Sequence, residues 1–262
     1  MKKQWISILI VAMTLGTAWA IRGQFGHEQG AAWAGGIGAL ALVLASKRKD
    51  WYSNVFSIVF AAAIGWGASG MISYGQVVGY GRSDNFLNAF YGLLMLFVIG
   101  SLYGILGGGL VGLSLHSSEK NKVKWGAVLS EMVAGGFIGY NLLIGQFEWL
   151  MTPPREEAWA VCLGAGFALL WHMARNNCQS PIRVALYSAI GAGFGFAFGN
   201  FAEIYYYPFN ARIGNQVGKC AFYPSPCPFL VNKTVLYCRH ISWILHQVGK
   251  LTQYHCLIVG MC

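Results

Sequence analysis

Apolar residues dominate seven stretches of this chain: residues 4–21, 30–46, 53–72, 86–115, 125–147, 157–174 and 184–202. Polar residues collect between them. About 20 mostly apolar residues, wound as a helix, cross the hydrocarbon core of a bilayer. The pattern therefore predicts an all-α fold, a polytopic transmembrane bundle of about seven spanning helices over residues 1–202. The lipid bilayer is the first predicted partner.

Four stretches end in a glycine and an amide followed by an apolar residue: Gly23-Gln24-Phe25, Gly75-Gln76-Val77, Gly145-Gln146-Phe147 and Gly199-Asn200-Phe201. A polar amide recurring at one depth predicts a shared polar surface. Charge assigns that surface a side. Lys2, Lys3, Lys47, Arg48, Lys49, Lys120, Lys122, Lys124, Arg175 and Arg183 fall in one set of loops. The alternate loops hold only Arg22, Arg82 and Arg155 up to residue 200. Lys/Arg-rich loops stay cytoplasmic, so the N-terminus is expected inside and the four amides outside.

Composition agrees with this reading. Charged residues are 10% of the chain and hydrophobic residues 56%, where a soluble domain carries about 25% charged. The net charge of +9 does not point to nucleic acid, because the basic residues sit where topology signals belong. The 35 glycines suit helices that approach closely in lipid.

The first stretch also has features of a cleaved leader: Lys2-Lys3, an apolar run over residues 6–15, and Ala18-Trp19-Ala20 as an A-x-A site. Its Gly-Gln-Phe ending, shared with the fifth stretch, favours a retained helix instead.

An internal repeat is the next expectation. Residues 32–48 and 158–175 share Ala-Trp-Ala, a matching glycine (Gly38 and Gly164) and a basic end. Residues 64–76 and 190–200 align with a two-residue gap. Halves of about 1–115 and 125–202 would then be a parallel duplication of a four-helix unit. The fourth helix carries Gly100, Gly104, Gly108 and Gly112, four apart and on one face. Its partner, an eighth helix, is missing or altered. From Asn200 onward the chain holds five of its seven cysteines and 4 of its 35 glycines, with no acid after Glu203. That change marks residues 203–262 as an atypical Cys-rich tail. Either the reading frame departs near residues 200–210, or the tail is a genuine extramembrane segment. Its cysteines lack zinc-ligand spacing.

The densest polar cluster is Arg22-Gly23-Gln24-Phe25-Gly26-His27-Glu28-Gln29-Gly30. Arg22 is suited to clamp a carboxylate or phosphate. His27 and Glu28 are suited to proton exchange or cation binding. The bland reading is a hydrated loop with an Arg22–Glu28 ion pair. Tyr74 and Tyr80, in the second outer loop, are ligand contacts or belt tyrosines. The loop at residues 152–157 reads as a rigid turn and helix start. Glu131 is expected to snorkel towards the cytoplasm, Asn141 to bond between helices, and His172 to carry little signal. No pattern calls for a metal, a cofactor or a catalytic constellation.

Arg22-Gly23-Gln24-Phe25-Gly26-His27-Glu28 resembles an R-G-x-aromatic-G-H-E stretch of uncharacterised bacterial polytopic membrane proteins. The resemblance covers the first four helices best, and it implies a membrane fold in the bacterial inner membrane with no assigned activity.

Three functions compete. In the first, a small-solute or ion transporter lines an outward vestibule with Gln24, Gln76, Gln146 and Asn200, and draws charge from Arg22, His27 and Glu28. In the second, a membrane-embedded enzyme uses His27 as acid/base, Glu28 as its partner and Arg22 as an anion clamp. In the third, a scaffold uses the amides only to join helices.

Overall fold

A computed structural model describes residues 2–117, 122–151 and 157–211, with side chains over 5–117, 122–151 and 157–202. The described residues are helical, with no strand among them. The order is α1 (Lys2–Ile21), a 3-10 turn (Arg22–Phe25), α2 (His27–Ser46), α3 (Lys49–Tyr52), α4 (Val55–Ser69), α5 (Gly75–Gly81), α6 (Phe86–His116), α7 (Trp125–Tyr140), a π turn (Asn141–Gln146), α8 (Ala158–Arg175) and α9 (Gln179–Ala211). The expected tail cysteines and the loop at 152–156 lie outside the described residues.

Five helical segments are long and apolar enough to cross a membrane: Trp5–Phe25, His27–Ser46, Phe86–His116, Trp125–Gln146 and Gln179–Ala202. The other two apolar stretches form shorter helices, α4 with 15 residues and α8 with 18. Outward-facing side chains agree with a lipid-facing surface. Phe56 is 88% exposed, Val133 74%, Phe137 72% and Phe198 67%. A water-soluble surface rarely gathers apolar area on this scale.

The bundle is built around α6, the most buried of these five segments. Asn85 caps its start, its side-chain oxygen accepting from the Leu87 N–H at 2.9 Å. Glycines then let neighbours approach from several sides. A side-chain carbon at Gly100 would lie 2.9 Å from the Phe196 Cβ of α9, and one at Gly112 3.0 Å from the Pro181 Cα. At Gly104 and Gly108 it would land on Ser188. The stripe expected for close helix contact is therefore the α6–α9 seam. On another face, a carbon at Gly65 of α4 would meet the Leu106 carbonyl oxygen at 2.6 Å. A similar seam joins α7 to α8, where a side-chain carbon at Gly139 would stand 2.8 Å from the Ala160 carbonyl oxygen and 2.9 Å from the Gly164 Cα.

Two further elements depart from the expected pattern. The Gly75-Gln76 pair does not end a long helix; α4 stops at Ser69, and the pair opens the short α5. Gly199-Asn200 lies inside α9, which continues to Ala211. Asn141 does not bond between helices; its amide donates to the Phe137 carbonyl of its own helix at 2.8 Å.

Glu131 of α7 is paired more fully than snorkelling requires. Its carboxylate meets His172 Nδ1 at 3.0 Å and the Arg175 guanidinium, both on α8. We expect Glu131→Leu to lower the thermal midpoint of the purified protein by a few degrees, because His172, only 11% exposed at its side chain, loses its partner. An unchanged midpoint, read by fluorescence-detected size exclusion, would show that the triad contributes nothing to holding α7 against α8.

Candidate functional site

The expected polar cluster sits where α1 ends and α2 begins. The chain turns there through the 3-10 segment Arg22–Phe25, and Gly26 takes φ 83°, a left-handed value suited to glycine. The turn brings α2 back along α1, and the start of α2 meets the end of α4. A side-chain carbon at Gly70 would lie 2.7 Å from the Glu28 Cα and 2.9 Å from the His27 carbonyl. Glycine at position 70 thus allows the His27-Glu28 backbone to rest on α4.

Arg22 is the centre of the site. Its guanidinium carbon lies 3.9 Å from the Trp19 ring centroid and 5.6 Å from that of Tyr74. Such stacking is worth about 0.5–1 kcal/mol in water and about 2 when desolvated. The expected Arg22–Glu28 ion pair does not form; among the described residues no carboxylate pairs with Arg22. Its five N–H donors point outward within the plane of the group and make no hydrogen bond among the described residues. Arg22 is half-buried, whereas Gln24, His27 and Glu28 are exposed. The His27 ring approaches Tyr74 edge-on at 6.1 Å.

Beneath Arg22 lies an aromatic floor. Trp19 packs edge-to-face on Trp66 at 5.5 Å, on Tyr103 at 5.8 Å and on Phe196 at 5.3 Å. Tyr74 joins through Phe196 at 5.7 Å. Five helical or loop elements, carrying Trp19, Trp66, Tyr74, Tyr103 and Phe196, meet at this point. Below Trp66 a cleft of about 250 Å³ runs between α1, α2, α4, α6 and α9, lined by Leu15, Gly38, Gly104, Gly108 and Ser188 among others.

Two buried polar atoms have no hydrogen-bond partner. One is the Tyr103 hydroxyl, on a residue with no exposed surface; the other is the Asn200 side-chain nitrogen, on a residue 8% exposed. An unsatisfied buried polar group costs about 1–3 kcal/mol, and native proteins hold few of them. Asn200 packs on Gly81 of α5, where an added carbon would stand 2.5 Å from that nitrogen. It lies one helical turn beyond Phe196, on the same face of α9.

The predicted residues therefore separate. Arg22, Gln24, His27 and Glu28 share one turn, and Asn200 lies on α9 one turn beyond Phe196, which packs on Tyr74. Gln76 is exposed on α5, and Gln146 is exposed in the π turn that ends α7. The three glutamines make no side-chain hydrogen bond among the described residues. Trp19, Trp66, Tyr103 and Phe196 were not singled out by the sequence reading. Their one local signal is Tyr103, a hydroxyl set among glycines in the long apolar helix α6.

Glu157, which the sequence reading placed in a turn, is a buried organiser of that connection. Its carboxylate accepts from the Met151 N–H at 3.0 Å and the Trp159 indole N–H at 2.7 Å. Among the described residues, no three of His, Cys, Asp and Glu gather as a metal site.

Comparison with protein-family models, curated proteins and solved structures finds no match. Fold and site thus define a class only: a helical protein whose apolar helices are of membrane-crossing length, with a cationic aromatic turn at one end.

Proposed function

We propose that this chain is a small-solute or ion transporter of the bacterial inner membrane, with its N-terminus cytoplasmic and the Arg22 turn at an outward vestibule. In this reading α4 and α8 also cross, giving seven spans, and residues 1–115 and 125–202 descend from a parallel duplication. The observation that carries it is Arg22: a half-buried cation, stacked on Trp19 and unpaired, above an aromatic floor with a cleft beneath. An unpaired ionisable group at a membrane boundary is a functional candidate by default. The floor of Trp19, Trp66, Tyr103 and Phe196 would act as the barrier between vestibule and cleft. The scaffold reading needs the amides to join helices, and the three glutamines make no such bond.

Stopped-flow light scattering of proteoliposomes in isotonic potassium acetate or potassium phosphate, with valinomycin to carry the countercation, or in glycerol tests this. The wild-type protein is expected to speed swelling in at least one of them over protein-free vesicles. Arg22→Ala is expected to cut that rate about tenfold, the loss of one charge-assisted contact. Wild-type vesicles that swell no faster than empty ones in all three would remove the transport reading. Conversion of an added substrate without flux, lost in His27→Ala, would move the assignment to the enzyme.

A further inference from the structure

We infer that the turn at Arg22 and the buried hydroxyl of Tyr103 form a binding site for an oxyanion, a carboxylate or phosphate group. The inference deepens the transport reading, and rests on it for the role of the site, by giving the ligand a sign and a chemistry.

Geometry sets the first condition. Trp19 and Tyr74 cover the guanidinium of Arg22. Aromatic rings satisfy its charge without using its N–H donors, which lie in the plane of the group. A planar fork of donors matches the two oxygens of a carboxylate or phosphate. Glu28 is six residues along the chain from Arg22, nearer in sequence than any other acid, yet it stays exposed and makes no ion pair with Arg22.

The second condition is independent of Arg22. Tyr103 is fully buried and its hydroxyl has no partner. Its ring rests on the same Trp19 indole that carries the guanidinium. The Asn200 nitrogen, one turn beyond Phe196, is a further unpartnered buried donor. Guanidinium, hydroxyl and amide nitrogen all donate, so an acceptor completes them. Directional donors favour an oxyanion over chloride, and the aromatic walls suit an apolar body attached to it.

Such an oxyanion has two sources, a dissolved solute or a lipid headgroup, and one experiment separates them. The purified full-length protein in phosphatidylcholine nanodiscs is titrated with sodium acetate, sodium phosphate or sodium chloride at constant ionic strength, and its thermal midpoint is followed. Acetate or phosphate is expected to raise the midpoint while chloride does not. Arg22→Gln is expected to abolish the shift, and Tyr103→Phe, which keeps the ring packing, to weaken half-saturation about tenfold. A shift produced by phosphatidylglycerol nanodiscs alone, and lost in the same variants, assigns the site to a lipid phosphate. The inference is overturned if acetate, phosphate and phosphatidylglycerol all match the chloride and phosphatidylcholine controls, or if both variants respond as the wild type does. Anion binding without vesicle swelling would sink the transport reading and leave the site standing. Swelling without Arg22-dependent anion binding would do the reverse.

Discussion

Gly104→Val is expected to prevent this protein from reaching its folded state in the membrane. A side-chain carbon at position 104 would land on the Ser188 carbonyl and stand 2.5 Å from the Ala189 Cα. Both obstacles are backbone of α9, so no rotamer change relieves them. Gly100 and Gly112 meet the same helix one turn and two turns away, where an added carbon would stand 2.9 Å from the Phe196 Cβ and 3.0 Å from the Pro181 Cα. Moving α9 to admit valine would therefore open the whole seam. Overpacking a well-filled interior costs about 1–3 kcal/mol, occasionally more. Lipid offers no hydrophobic compensation, because helix association there rests on packing itself. The matched control is Gly191→Ala, where nothing lies within 4 Å. It is expected to stay within about 0.5 kcal/mol of wild type. Unfolding by increasing SDS in mixed micelles reads both variants. A Gly104→Val midpoint equal to that of Gly191→Ala would show that the α6–α9 seam does not hold the bundle.

The α6 stripe was legible because four glycines spaced four apart must share a face of a helix, whatever packs on it. The seven apolar stretches were legible as helices for the same kind of reason, since a long apolar run satisfies its backbone best by winding as a helix, and five segments are long and apolar enough to cross a membrane. Which helix met the stripe was not legible: nothing in residues 100–112 names Pro181, Ser188 or Phe196. The recurring amides show the opposite failure. A shared dipeptide carries no geometry, and the four pairs fall in a 3-10 turn, at the start of α5, in a π turn and within α9. Only Asn200 among them is buried. Arg22 was visible as a charge beside glycines, but its aromatic surroundings come from α1, α4, α6, α9 and the loop before α5. Sequence separation hid that convergence, as it hid the pairing of Glu131 with His172 across 41 positions.

Gly107→Ala is expected to be damaging alone and nearly harmless when Trp66 is also changed to alanine. The Trp66 indole is wedged between two helices. A carbon at Gly107 of α6 would fall on its pyrrole edge, and one at Gly35 of α2 would stand 2.6 Å from its Cγ. The obstacle is a side chain this time, yet the indole has nowhere to turn, because Trp19 lies 5.5 Å away and Tyr103 5.8 Å away. Gly107→Ala should cost about 1–3 kcal/mol by overpacking. Trp66→Ala costs up to about 3–5 kcal/mol in a water-soluble core. Here the loss should be smaller, since lipid chains solvate apolar groups and only the packing contacts disappear. In the double variant the new methyl group enters space the indole has left. The two changes should then fall short of additivity by about 1–3 kcal/mol, the range for residues in direct contact. Additive costs in the SDS titration would mean that Trp66 does not bridge α2 and α6. The same cycle bears on the site, because Trp66 forms part of the floor under Arg22. If Gly107→Ala folds, the displaced indole should disturb Trp19 and Tyr103 and weaken acetate or phosphate binding. Gly191→Ala, on the open face of α9, should leave that binding unchanged.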